Sequence, residues 1–316
     1  MTTMNKRETV LSLAHGSDPL PYVPAAFFLH FGPAYHAAAP AIARHLEYFQ
    51  ATGMDLVKIQ YEQGVPSAPL IERPEDWFKV PVVDRSWFEP TIRTVEGLVK
   101  AAKREAVVIV TLYSPFMWAK HLADVPTLTR HLEENPEAVQ QGLEIIVANI
   151  LQLVRGCQAA GVDGFYASTQ GGEAGRFGGH TDFFERYLKP ADLAVWDAFK
   201  DGPFNVLHVC DYDRPYDDYT PFLDYPGHLV NCALHVGARD LTPGEAATMF
   251  KRPFMGGLER KGTLATGSVA EVKVEAERAL AALPERALLA ADCTVPAETP
   301  WDNLRAAIET AHEYRR

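Results

Sequence analysis

Apolar and polar positions along the chain follow two alternating periods. Short runs dense in β-branched and aromatic residues occur at 23–31 (VPAAFFLHF), 54–61 (MDLVKIQY), 106–113 (AVVIVTLY), 162–168 (VDGFYAS), 204–211 (FNVLHVCD), 229–234, 254–258 and 288–292. Runs of this length and composition, bounded by Gly, Pro and Asp, predict strands. The near-continuous apolar run at 106–113 is the pattern of a parallel strand buried on both faces. Between the strands, apolar residues recur at helical spacing over 41–51, 91–104, 182–199, 268–282 and 302–314. The longest such stretch starts at Asn135-Pro136-Glu137, with Pro in the first turn, and carries Leu143, Ile146, Val147, Ile150, Leu151 and Val154 on one face. Ser268 with Glu271 three residues on is a capping box.

Eight strands alternating with helices predict an α/β fold, a single (β/α)8 TIM barrel spanning residues 1–316. A doubly wound open sheet is the alternative, because periodicity cannot count closure. Glu62, Tyr113, Ser168, His208, Cys210, His235 and Cys293 all fall at C-terminal strand ends, the rim where barrels place reacting groups. An open sheet would gather its site near one switch point. The irregular stretch 65–90, rich in Pro and Trp, reads as a cover over one end of the barrel. The loop at 169–180 (TQGGEAGRFGGH) lacks the GxxxxGK[ST] phosphate cradle and reads as a mobile substrate loop.

Composition narrows the function classes. With 316 residues, 47% hydrophobic and 22% charged, the chain has the profile of a soluble globular protein able to bury a large core. A formal net charge of −11 argues against a nucleic-acid or acidic-membrane surface and for a small-molecule substrate. Cys157, Cys210, Cys232 and Cys293 are too few and too scattered for a disulfide framework, so reduced thiols and a cytoplasmic location are expected. No apolar run reaches the length of a membrane span, and residues 1–16 lack the core of a signal peptide.

Candidate chemistry centres on 204–211. Alternate residues of a strand share a face, so His208 and Cys210 point the same way, about 6.5–7 Å apart along the chain. An imidazole and a thiolate so placed can share a borderline cation such as zinc, and Cys293, after the last apolar run, supplies a second thiol. Buried structural roles are the competing assignment for all three, since free cysteine is among the most buried residue types. Glu62, His235 and Tyr113 are the candidate catalytic groups, with His235 also a candidate fourth ligand. Ser168 and Arg260, the latter beside Lys261, are candidate substrate contacts; hydroxyls that satisfy nearby backbone and a solvated cationic pair are the plain alternatives. Cys157 and Cys232 read as structural, and Asp211 or Asp292 either as a group that orients a ligand or, equally, as a loop solubiliser or helix cap.

From about Val162 onward the chain resembles the uroporphyrinogen decarboxylase superfamily. Residues 254–280 (FMGGLERKGTLATGSVAEVKVEAERAL) resemble its seventh strand, glycine-rich loop and following helix, and residues 288–314 (LLAADCTVPAETPWDNLRAAIETAHEY) resemble its closing segment, GCGIPPGTPPENIRA in typical members. The resemblance implies a TIM barrel and two candidate chemistries. Porphyrinogen decarboxylation requires an N-terminal RQAGRY-like motif whose arginines hold substrate carboxylates; FFLHFGPAY, at 27–35, has no arginine. The other branch comprises zinc methyltransferases that move a methyl group between a corrinoid protein and a thiol. Their H-x-C and downstream Cys ligands match His208, Cys210 and Cys293 one for one.

The implied activity is zinc-dependent methyl transfer from a methyl-corrinoid or similar donor to a thiol, with Zn2+ as cofactor. The expected partners are a small-molecule thiol, a corrinoid protein and a second copy of the chain. A decarboxylase-like lyase or a metal-free binding barrel is the alternative. Two departures stand next to the proposed ligands: Asp211-Tyr212-Asp213-Arg214 replaces a glycine and a small polar residue, and Thr294-Val295 replaces Gly-Ile.

Overall fold

Strands with no polar face need cover on both sides, and in the computed structural model, which describes residues 4–17, 19–60 and 71–315, the helices supply it from outside. The strands are β1 (Leu56–Ile59), β2 (Val107–Tyr113), β3 (Gly164–Thr169), β4 (Val206–Val209), β5 (Leu229–Cys232), a short antiparallel hairpin of β6 (His235–Val236) and β7 (Arg239–Asp240), β8 (Phe254–Leu258) and β9 (Ala287–Ala291). Among the described residues, seven of them form one parallel sheet in the order β1-β2-β3-β4-β5-β8-β9, curled as part of a barrel.

The predicted first strand, 23–31, is not a regular member of this sheet. It touches the sheet through isolated parallel bridges, Ala25 with Leu289 and Leu29 with Val295. Its bonds nonetheless reach both edges: Ala26 N–H donates to the Leu289 carbonyl and Asp55 N–H to the Ala25 carbonyl, each at 3.0 Å. Pro24 accepts from Leu289 N–H at 2.9 Å but carries no N–H to donate, so a regular ladder cannot run through it. The structure therefore replaces the expected eight-stranded ring with seven strands and an irregular seam.

The helices are α1 (Lys6–His15), α2 (Ala38–Thr52), α3 (Glu89–Ala102), α4 (Pro115–Leu122), α5 (Val125–Glu134), α6 (Pro136–Ala159), α7 (Lys189–Trp196), α8 (Pro243–Phe250), α9 (Thr263–Thr266), α10 (Val269–Ala282) and α11 (Trp301–Glu313). The expected caps are present: the Asn135 side chain accepts from Ala138 N–H, and Ser268 with Glu271 closes a capping box. The helix expected over 182–199 is broken into a π turn at Phe184–Leu188 and α7, because Pro190 at the start of α7 cannot donate back to the preceding turn. None of the helices is long and apolar enough to cross a membrane, among the described residues.

The cover expected at 65–90 lies outside the described residues up to residue 70, and beyond that it packs elsewhere. Trp77 is fully buried, its indole N–H donating to His131 Nδ1 at 3.1 Å on α5 and its ring resting where Gly142 of α6 leaves no side chain. A large indole needs that bed, so residues 71–90 clad α5 and α6 instead of closing the barrel.

Carboxylates hold the N-terminal ends of the strands together. Buried Asp163, just before β3, accepts from Arg7 Nη1 and Nη2 at 2.6 and 2.7 Å and from Val108 N–H at 2.9 Å, joining α1, β2 and β3. Asp55, before β1, accepts from Tyr22 Oη and Ala25 N–H at 2.7 Å each and from His312 Nε2 of α11 at 2.8 Å. Such charges are tolerated inside because each is fully hydrogen-bonded.

A third buried carboxylate has a weaker environment and a measurable consequence. Asp192 of α7 accepts from Thr169 Oγ1 at 2.6 Å and Tyr225 Oη at 3.1 Å, and burial pushes its pKa up to about 7. Between the unfolded value near 3.8 and about 7, the folded chain keeps a proton that the unfolded chain releases, so this group lowers stability as pH rises through that window. Asp192→Asn, which keeps an acceptor for both hydroxyls, removes the titration. The urea midpoint of the variant relative to wild type should climb from about pH 4 to about pH 7 and then level off. A pH-independent difference would show that Asp192 is ionised in the fold throughout.

Candidate metal centre

Register across three strands decides what faces the barrel interior. Ser168 of β3, His208 of β4 and Asn231 of β5 are aligned as neighbours, and Tyr166 lies two residues before Ser168 on the same face. Asn231 occupies the middle of this layer: its Nδ2 donates to the carbonyls of Met255 on β8 and Ala291 on β9 at 2.7 and 3.0 Å. Its Oδ1 accepts from Tyr166 Oη at 2.5 Å. The Tyr166 ring, so anchored, stacks on the His208 imidazole with centroids 4.8 Å apart.

This layer brings the three expected ligands together. Cys210 follows β4 with its N–H bonded to the Thr169 carbonyl at 3.0 Å, and Cys293 follows β9. One ligand atom each of His208, Cys210 and Cys293 lie within 4.8 Å of one another, and all three residues are buried. Cys293 Sγ stands 3.3 Å from His208 Nε2, and Gln170 Nε2 donates to Cys210 Sγ at 3.5 Å.

The donor set fits a metal. Tetrahedral zinc, with bonds of about 2.3 Å to sulfur and about 2.0 Å to nitrogen, holds such atoms about 3.5–3.8 Å apart. Side-chain rotation of about 1 Å meets that requirement. The other nitrogen, His208 Nδ1, is buried and has no hydrogen-bond partner among the described residues. Electrostatics agree. Hydrogen bonding from Cys293, with His208 nearby, holds the Cys210 thiol well below its usual value, and the same hydrogen bond with burial pushes Cys293 up. A cation bound by these thiols would compete with their protons.

The trio lines a cavity of about 650 Å³. Its wall includes Lys58 and Gln60 at β1, Tyr113 at the end of β2, Met117, Trp118, Lys120 and His121 of α4, Tyr212 and Asp213 after β4, and 294–298 after β9. Lys58 is buried, donating to Gln60 Oε1 at 2.5 Å and Thr111 Oγ1 at 2.9 Å, with its ammonium over the rings of Phe28 and Tyr166. Lys120 is paired with Asp213 and donates to Gln170 Oε1 at 2.6 Å.

Of the other expected site residues, Tyr113, Ser168 and Arg260 line this cavity. Arg260 is committed elsewhere: its Nη1 lies 2.6 Å from Asp292 Oδ2 and 3.0 Å from Asp211 Oδ1. His235 does not reach the cavity. Its side chain is 69% exposed on the β6–β7 hairpin, with Nδ1 2.7 Å from Asp240 Oδ1, because the chain leaves β5 at Cys232 and turns outward. Glu62 lies outside the described residues. The glycine-rich loop expected to be mobile is anchored by buried Glu173, which accepts from Gly171 N–H at 2.8 Å and Arg176 Nε at 2.9 Å. Gly171 there has φ +107, with rings of Phe116 and Phe184 about where a Cβ would press, so glycine is required by conformation and space together.

A family model described as Uroporphyrinogen decarboxylase (URO-D) matches residues 42–314. No curated protein matches the sequence. Among solved structures, a methyltransferase from Methanosarcina mazei superposes with a TM-score of 0.78 at 16% identity, covering 98% of this chain and 99% of its own. A B12-independent methionine synthase from Shewanella sp. W3-18-1, in complex with selenomethionine, gives 0.55 at 12% identity over 94% and 97% of the two chains. A protein from Listeria monocytogenes assigned as a vitamin-B12-independent methionine synthase gives 0.57 at 13% identity over 94% and 99%. At such identities the likeness concerns the fold.

Asn231→Leu removes both donors and the acceptor at the middle of the layer, leaving two carbonyls and a phenol buried and unpaired. Stability should fall by about 2–5 kcal/mol in urea titrations, and Cys210 and Cys293 should react faster with iodoacetamide in chelator-treated protein. Unchanged stability and unchanged alkylation rates would remove Asn231 from that role.

Proposed function

The chain belongs to the uroporphyrinogen decarboxylase family, and from that membership we propose that it is a zinc-dependent methyltransferase, moving a methyl group from a methyl-corrinoid or similar donor to a small-molecule thiol. The observation that carries the reading is the convergence of His208, Cys210 and Cys293 donor atoms within 4.8 Å at the wall of a large cavity. Two sulfurs and one nitrogen are a zinc donor set that leaves a fourth position for substrate. The names of the Methanosarcina, Shewanella and Listeria structures support methyl transfer as the class of reaction. The absence of arginine from 27–35 speaks against holding a porphyrinogen's carboxylates.

Zinc at this trio would supply acidity, so that an incoming thiol is present as thiolate near neutrality despite a free pKa of about 8.5. The transfer itself is a displacement: the thiolate lone pair forms the S–C bond while the methyl's bond to its donor breaks, its electron pair staying with the donor. The chain's own residues fix the geometry. Tyr166 holds the His208 ring by stacking, Gln170 holds the Cys210 sulfur by hydrogen bonding, and Tyr113 and Ser168 form the wall against which the substrate rests. Met117, Trp118, Val295 and Pro296 contribute apolar surface that excludes water around the transferring methyl.

Metal analysis of purified protein tests the proposal. Wild type should carry close to one zinc per chain, and Cys210→Ser and Cys293→Ser should each lose most of it while remaining folded, since serine removes the soft ligand and little volume. Cys232→Ser, on the opposite face of β5 from Asn231, should keep wild-type stoichiometry. Wild-type protein that is zinc-free and takes up no added zinc would overturn the reading in favour of a metal-free lyase or binding protein.

A further inference from the structure

Cys210 and Cys293 stand on loops whose strands are not neighbours, since β5 and β8 separate β4 from β9 in the sheet. No ladder hydrogen bond therefore sets the distance between the two sulfurs. The residue after the first thiol and the residue before the second are both aspartate, and both carboxylates face one guanidinium. Arg260, on the loop after β8, donates from its backbone N–H to Asp292 Oδ1 at 2.7 Å and from Nη1 to Asp292 Oδ2 at 2.6 Å. The same Nη1 lies 3.0 Å from Asp211 Oδ1, as an ion pair. All three side chains are largely buried, between 13% and 19% exposed, so the attraction is little screened by solvent.

We infer that Arg260 is a positioning residue for the metal centre, a cationic clamp that fixes the spacing of Cys210 and Cys293 through their chain neighbours Asp211 and Asp292. The inference rests on the zinc reading of the site. Without the guanidinium, two carboxylates in a partly buried pocket repel each other, and the loops that carry them, and the thiols, move apart. One nitrogen, Nη1, meets both carboxylates, as a hydrogen bond to Asp292 and as an ion pair with Asp211, and the backbone N–H of Arg260 adds a second hydrogen bond to Asp292. The arrangement also removes Arg260 from substrate recognition: a cation already facing two anions is a poor receptor for a third.

Zinc affinity by competition with a chromophoric chelator, set against urea unfolding of the zinc-free proteins, tests the clamp in wild type, Arg260→Gln, Arg260→Lys and Asp292→Asn. Arg260→Gln should weaken zinc binding roughly 10- to 100-fold while the zinc-free midpoint shifts little, with Arg260→Lys in between. Losses from Arg260→Gln and Asp292→Asn combined in one chain should be less than the product of the single losses, because both break the same pair. Wild-type affinity in Arg260→Gln overturns the clamp, as does an affinity loss that merely tracks lowered stability of the zinc-free form. Should Arg260→Gln fail to fold, Arg260→Lys and Asp292→Asn decide by the same comparison. Wild type that takes up no zinc overturns the metal reading itself and the clamp with it.

Discussion

A primary amide deep in a strand-built interior has two donors and an acceptor to satisfy, and Asn231 finds all of its partners on other strands. Its bonds to Met255 and Ala291 carbonyls tie β5 to β8 and β9 across the interior, and its bond from Tyr166 ties in β3. Leaving any of these groups unpaired costs on the order of 1–3 kcal/mol, so the arrangement is narrow in the geometries it allows. His208 inherits its orientation from Tyr166, and Cys293 inherits its position from the end of β9. The candidate metal centre thus rests on a layer that one amide ties together.

The two ends of the curled sheet divide the charges between them. At the N-terminal ends of the strands, Asp55 and Asp163 are saturated by hydrogen bonds and serve to bind α1, α11 and the sheet into one body. At the C-terminal ends, the donor atoms of His208, Cys210 and Cys293 converge within 4.8 Å at the wall of the cavity. Groups left incomplete in the folded state are available to a ligand; groups already saturated are not. This asymmetry separates the structural carboxylates from the candidate ligand trio more sharply than burial, because both sets are buried.

Local signals were readable in the sequence where the chain's own neighbours decide the outcome. The β8 strand appears at the bounds its apolar run predicts, and the caps at Asn135 and Ser268 form as their spacing requires. The trio was legible because strand alternation puts His208 and Cys210 on one face and because the closing segment resembles a known family. What escaped depends on distant partners. Tyr166, Lys58 and Asn231 sit in strands buried on both faces, where no polar alternation tells inward from outward. His235 was misplaced because the apolar run through Leu234 hides the point at which the sheet ends and an exposed hairpin begins. Arg260 was read as a candidate substrate contact, and no local signal shows that Asp211 and Asp292 meet it. The helix α1, by contrast, carries a capping box at Asn5 and Glu8 that could have revealed it.

The irregular segment between β9 and β1 has a consequence of a different kind. A parallel sheet that is not a continuous ring has two outer strands whose N–H and C=O groups invite strand addition by another chain. Here Pro24, Ala25, Ala26 and Phe28 occupy those groups on both outer strands or just beyond their ends, without forming a ladder themselves. Because Pro24 and the isolated bridges prevent regular pairing, the segment ends the propagation of the sheet instead of extending it. The residues that interrupt the ring also occupy positions at the sheet edges where another strand would pair.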